Sequence, residues 1–375
     1  MIAVALQSSS MSVSVRSFAK INLGLRIGAR RDDGFHELLT IYQTIRLHDI
    51  IRVTAARGSG IEIRCADTRV PKDESNTCYR IAEKVLQGLK AKARIVIEIE
   101  KRLPVQGGLG GASSNAVAAM AGIETALKKR LEANERMRIA AEVGSDLPLF
   151  LVGGTVLGLG RGEQVYPLED FPATPGVVVT PEVGVSTPKA FAEWDRRVDL
   201  TPGLKPSFFP EANAAGQSRA AASTKNWMGA STGPHKTAGR HTGKLTVGEP
   251  FDRMIELGRE LSAWLSECNS GAPLAVKSKR GRRENPLLGL VRTGIKNDFE
   301  HVVFSEYPEL SEVKSALERA GARYASLSGS GSALYGLFAS DEAARAAAAS
   351  LRKQGWAAQA TATITRRQYW KRAIQ

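Results

Sequence analysis

Residues 104–116 read PVQGGLGGASSNA, with glycine at 107, 108, 110 and 111. Glycine loses more conformational entropy on folding than any other residue type, so a bare backbone here must serve a purpose. A strand pattern, RIVIEIE at 94–100, precedes the loop, and a helical pattern opens at Ser113 and Ser114. In a strand–loop–helix unit the amides of the loop and of the first helical turn converge, and the helix dipole adds about half a positive charge there. That is the chemistry of an anion cradle. Without Cβ atoms, phosphate oxygens can approach the main chain. Ser113 and Ser114 are placed to cap the helix and to donate to phosphate or metal. The loop lacks the Gly-Lys-Ser/Thr ending of a Walker A motif, and no acidic residue follows at dinucleotide-fold spacing.

Two elements beside the loop carry further polar groups. Lys20 lies among apolar neighbours in FAKINL, and Asn22 faces the same side of that strand. Asp146 follows a helix end in GSDLPLF (144–150), ahead of an apolar segment. Strand patterns fall at 50–53, 61–65 and 94–100, and an amphipathic helix at 76–89 is capped by Asn76 or Thr77. A helix after the glycine loop carries Val117, Met120, Ile123 and Leu127 on one face, and another at 135–144 closes on Gly144. Beyond VVVT (177–180), the order is helix 308–321, strand 323–328, glycine turn 329–332, strand 333–338, helix 340–355 and strand 358–365. With an earlier strand and helix this matches a βαββαβ, ferredoxin-like arrangement. Residues 203–247 are rich in Ala, Gly, Ser and Thr without periodicity and read as a disordered insertion; helical patterning resumes at 249–265.

The 375 residues suggest two domains, and 43% hydrophobic with 24% charged residues is ordinary for a soluble globular chain. The longest uncharged apolar stretch, 147–160, is too short to span a bilayer. The N-terminal residues lack a basic region ahead of their apolar ones, so they read as a ragged extension, and Met11 is an alternative start. Cys65, Cys78 and Cys268 show no metal-binding spacing; free thiols in a reducing cytoplasm are the expectation. The net charge of +14 admits nucleic acid, but the basic residues are scattered apart from KSKRGRR at 277–283, and a polyanionic small substrate also favours positive potential.

The loop closely resembles the phosphate loop of the GHMP kinase superfamily. Two further segments resemble that superfamily's motifs in order: SVRSFAKINLGLRI (14–27) and YASLSGSGSALYGLF (324–338). RRDDGFHELLTIYQTIRLHDIIRV (30–53), GSDLPLF, PEVGVSTPKAFAEWD (181–195) and KNDFE (296–300) are similar to the 4-diphosphocytidyl-2-C-methyl-D-erythritol kinase family. The resemblance covers about 14–200 and 286–365 and fails over the central insertion. It implies an α/β (α+β) GHMP kinase fold: an N-terminal ribosomal-protein-S5-like domain over 14–171 and a C-terminal ferredoxin-like domain over 172–375. It implies transfer of the γ-phosphate of ATP to a 2-hydroxyl of a cytidine-diphosphate-bearing small molecule, in the non-mevalonate route to isoprenoids.

The same resemblance assigns roles. Asp146 is the general base and Lys20 its ammonium neighbour, which keeps the carboxylate ionised and acidifies the hydroxyl. Pro104, Gly107, Gly108, Leu109, Gly110, Gly111, Ser113 and Ser114 bind ATP. Asn22, Phe35, His36, Thr187 and Phe191 bind the acceptor, with Phe35 and Phe191 stacking on cytosine and His36 hydrogen-bonding it. Gly329, Ser330 and Gly331 support the phosphate loop. Mg2+ accompanies ATP and is touched by Ser114 if by any side chain. No nucleic-acid or membrane partner is implied, and the chain is expected to be a monomer or weak homodimer. The competing readings are a homoserine- or mevalonate-type kinase and a non-catalytic nucleic-acid-binding module.

Overall fold

The computed structural model describes residues 11–105, 107–199 and 296–374. The expected insertion at 203–247, the helix at 249–265, the basic run at 277–283 and Cys268 lie outside the described residues. The first sheet is organised by one long antiparallel hairpin, β1 (Met11–Arg30) and β2 (His36–Ala56). The turn between them is set by Gly34 in the left-handed region, by Arg31 N–H donating to the Phe35 carbonyl, and by Asp33 accepting from the Phe35 amide. The short strand expected at 50–53 is therefore the distal end of a 21-residue element. Its length went unread because β2 changes partners along its course. Residues 50–56 pair with β4 (Arg94–Glu100), and residues 40–43 pair with β5 (Thr155–Leu159).

The β1–β2 register breaks between Phe18 and Lys20 and again between Asn22 and Gly24. Such bulges turn side chains out of the regular alternation, and these two bracket Lys20 and Asn22. β3 (Gly60–Cys65) runs parallel to β4, and β6 (Gln164–Pro167) closes the other edge beside β5. Helices α1 (Thr77–Gly88), α2 (Gly111–Leu127) and α3 (Ala133–Val143) share one core with the sheet, in which Ile51, Val53, Ile95, Ile97, Ile81, Val85, Met120 and Ile123 are buried. Of the two candidate caps of α1, Asn76 is the one used: its side chain accepts from the Cys78 amide at 2.8 Å. The short α4 (Leu147–Val152) follows.

The second sheet contains β7 (Pro175–Val179), β8 (Tyr324–Leu327), β9 (Leu334–Leu337) and β10 (Ala358–Ala362), in the antiparallel order β10-β7-β9-β8. This is the ferredoxin-like strand order. It is covered by α5 (Thr187–Asp199), α6 (Phe299–Glu306), α7 (Pro308–Arg319) and α8 (Asp341–Lys353). A further helix, α9 (Arg366–Ala373), returns to the first sheet, where Tyr369 packs on Phe18 and its hydroxyl donates to the Phe150 carbonyl. Its start carries a capping box between Thr365 and Gln368. Among the described residues no helix is long and apolar enough to cross a membrane, and Cys65 and Cys78 are buried free thiols. Burial pushes the Cys78 thiol up, so it stays protonated.

Candidate active site

The glycine loop joins β4 to α2 and is held from three sides. Asp49, fully buried near the middle of β2, accepts from the amides of Arg102 and Leu103, from Asn115 and from Lys101, which fixes the entry to the loop. β1 reaches it through the Lys20 amide, which donates to the Leu109 carbonyl at 3.0 Å. The second sheet reaches it through the turn after β8: Ser328 Oγ donates to the Gly108 carbonyl, and the Ala333 amide donates to the Gly107 carbonyl.

Gly108 and Gly110 both have positive φ, +71° and +68°. A methyl group on Gly108 would fall on the Ser328 carbonyl oxygen, and one on Gly110 would come within 3.0 Å of both Phe150 and Lys20. Both close approach and backbone conformation therefore require glycine. α2 begins at Gly111 with Gly110 in the cap position and no side-chain cap, so the amides of Gly111, Ala112 and Ser113 have no partner within the helix, while the Ser114 amide donates to the Gly110 carbonyl. The expectation that Ser113 and Ser114 cap this helix is corrected here. Both sit inside the first turn, and the Ser114 hydroxyl is buried, donating to the Phe18 carbonyl and accepting from Ser17. Beside the loop opens a cavity of about 400 Å³ lined by Pro104, Gly107 to Ser113, Val70, Asn76 and Lys101.

Lys20 and Asp146 meet next to this loop, with Nζ 3.5 Å from Oδ2. The lysine side chain is 4% exposed and the aspartate 31%, so the carboxylate is the member of the pair open to a ligand. Asn22 Oδ1 accepts from Lys20 Nζ at 2.7 Å, and its amide nitrogen donates to Thr40 Oγ1, which in turn donates to the Gly24 carbonyl. Both polar ends of Asn22 are thus engaged in orienting the lysine. Tyr42, absent from the sequence-based site, donates its hydroxyl to the other Asp146 oxygen at 3.1 Å. Burial, with the Asp146 charge second, pushes the Tyr42 hydroxyl well above its usual range, so it remains a donor.

Gly329 and Gly331 have positive φ, and the turn is held by buried Asn297, whose amide nitrogen donates to the carbonyls of Leu327 and Gly329. Thr187, at the start of α5, is hydrogen-bonded to Ser330 at 2.7 Å, so it lies with this turn. Tyr335 reaches back and donates to the Asn22 carbonyl. The turn, the loop and the Lys20 strand form one hydrogen-bonded unit.

At the turn end of the hairpin His36 meets Phe191, and Phe35 precedes His36 in the turn. Phe35 is 52% exposed and lies beneath the Arg161 guanidinium, 5.0 Å from ring centre to charge. His36 is buried and stacks on Phe191, with centroids 4.8 Å apart and planes 9° from parallel. Its Nε2 lies 2.6 Å from Asp195, which the sequence did not single out. One face of Phe191 is thus covered by His36, and Phe35 stands apart with open surface. A signal for Asp195 was available: it falls four residues after Phe191, one helical turn on. Among the described residues, no group of three or more His, Cys, Asp and Glu side chains converges to hold a metal ion.

The profile described as GHMP kinases N terminal domain matches residues 76–154, and that described as GHMP kinases C terminal matches 285–356. A Solibacter usitatus protein named 4-diphosphocytidyl-2-C-methyl-D-erythritol kinase is 33% identical over 333 residues, spanning 88% of this chain and 83% of its own. An Acetivibrio thermocellus protein of the same name is 26% identical over 353 residues, spanning 94% and 99%. A crystal structure of 4-(cytidine 5'-diphospho)-2C-methyl-D-erythritol kinase superposes with a TM-score of 0.61 at 26% identity, covering 93% of this chain and 98% of that one.

Proposed function

This chain belongs to the 4-diphosphocytidyl-2-C-methyl-D-erythritol kinase family of GHMP kinases, and from that premise we propose that it transfers the γ-phosphate of ATP to the 2-hydroxyl of 4-diphosphocytidyl-2-C-methyl-D-erythritol. The observation that carries the reading is Lys20, paired with Asp146, lying directly against Gly110 at the junction of the loop and α2. The amides of Gly111, Ala112 and Ser113, which have no partner within the helix, receive the nucleotide phosphates, and the adjoining cavity takes the rest of ATP.

The acceptor hydroxyl sits beside Asp146. As its oxygen bonds to the γ-phosphorus, the bond to ADP breaks and the proton passes to the carboxylate. Lys20 places a positive charge beside that carboxylate and offsets negative charge on the transferring group. Magnesium, when bound with ATP, would supply further charge neutralisation. With Ser114 turned toward β1 and no acidic cluster in the described site, we assign it no dedicated protein ligands. Phe35 offers an open ring to the cytosine, and the His36–Phe191 stack, steadied by Asp195, forms the neighbouring wall. Asn22 acts through Lys20, and Thr187 acts through Ser330.

A coupled ADP-release assay tests the reading by offering the cytidyl substrate beside its nucleotide-free alcohol, homoserine and mevalonate. Turnover confined to the cytidyl substrate is expected. Equal turnover of the nucleotide-free alcohol would overturn the acceptor assignment.

A further inference from the structure

We propose that Tyr42 is a positioning residue for Asp146, holding one carboxylate oxygen so that the other faces Lys20 and the acceptor. The proposal rests on Asp146 being the proton acceptor and adds a group that sets its geometry.

Tyr42 Oη donates to Asp146 Oδ1 at 3.1 Å, while Lys20 Nζ stands 3.5 Å from Oδ2. The two contacts divide the carboxylate between them and fix its plane. The Tyr42 ring also lies beneath the Lys20 ammonium, 5.6 Å from its centroid, so one side chain touches both members of the pair. Tyr42 pairs with Asn22 across the hairpin, between the two register breaks, so it shares their local geometry.

The neighbouring strand is shaped around this tyrosine. Tyr42 is opposite Val156 in β5, and a methyl on Gly158 would come within 2.5 Å of the Tyr42 ring. Past β5, a methyl on Gly162 would fall on the Tyr42 hydroxyl itself. Two glycines thus leave bare backbone along the ring and at its tip, which locates the hydroxyl independently of its hydrogen bond. Among the described residues, Asp146 is faced by Lys20 from β1 and Tyr42 from β2, with Glu163, from the turn after β5, acting on Tyr42.

In Tyr42→Phe, kcat should fall about tenfold with both KM values within about twofold, because the carboxylate loses its orientation rather than its contacts to substrate. Gly162→Ala displaces the hydroxyl and should lower kcat in the Tyr42 protein but add nothing in Tyr42→Phe. The carbon-13 signal of the Asp146 carboxyl, identified by its loss in Asp146→Asn, should move in Tyr42→Phe at fixed pH as the hydrogen bond disappears. An unmoved Asp146 signal with unchanged kcat in folded Tyr42→Phe overturns the proposal, whatever its melting temperature. Near-normal turnover of Asp146→Asn overturns instead the reading of Asp146 as base, and the carboxyl signal still reports whether Tyr42 holds it.

Discussion

At the glycine-loop end of the site, Gly108 lies on the Ser328 carbonyl, Gly110 lies on Lys20 and Phe150, and Asn297 holds the opposing turn from a fully enclosed position. At the Phe35 end, the foremost ring is half exposed and the hairpin tip is tied by the exposed Arg31–Asp33 pair and by Arg31–Glu37. The first region is main chain gripped by main chain and has no slack. The second is side chains on a surface, with a single buried stack behind them. A site for transferring a phosphoryl group must hold its parts rigidly before the ligand arrives, because orientation is the catalyst. A site for recognising a flat base needs only an apolar face and a hydrogen-bonding edge. The contrast predicts that damage at the first end lowers rate or folding, and damage at the second lowers affinity alone.

Asp146→Asn is the most severe test. It should reduce kcat by about 10²- to 10⁴-fold while both KM values stay within a few fold. Steady-state kinetics over both substrates check this, and a larger change in KM than in kcat would erase the distinction between the two ends. Gly110→Val should weaken ATP binding about a hundredfold by calorimetry, since displacing the backbone by even an ångström disrupts the cradle. Unchanged nucleotide affinity would make the loop a connector. Asn297→Ala strips the donor from two carbonyls in a buried turn and should cost about 2–3 kcal/mol of stability by denaturant titration, with ATP affinity falling in step. Phe35→Ala should be mildest. It raises the acceptor KM about tenfold by loss of stacking, leaving kcat and melting temperature unchanged because the ring is half exposed in the free protein. A lowered melting temperature there would blur the contrast.

Much of this was legible in the sequence where the determinants are local. The run of glycines, the alternation of RIVIEIE and the helical periods between 308 and 353 each lie within one element, and the observed ends agree within two or three residues. What escaped depends on partners far along the chain. The reach of β2 rests on pairing with β4 and β5, through partners 38 or more residues away. Tyr42 meets Asp146 across 104 residues, and His36 meets Asp195 across 159. Ser114 was misjudged as a cap for a related reason. Hydroxyls at a helix start favour capping when nothing else claims them, but Phe18 and Ser17 of β1 lie directly above it.

The turn at 328–333 packs on the phosphate loop and hydrogen-bonds Gly107 and Gly108, yet it belongs to the other sheet. Any ligand that prefers the native loop therefore strengthens a joint between two sheets that already share a core. By mass action, nucleotide at a hundred times its dissociation constant adds about 2.7 kcal/mol against every opening that breaks the loop. Amide hydrogen exchange would register that gain at Leu327 to Ala333 and around Asn297, as well as on the loop that contacts the ligand. The nucleotide would then act as a rivet, tightening from one surface a seam that runs between two sheets.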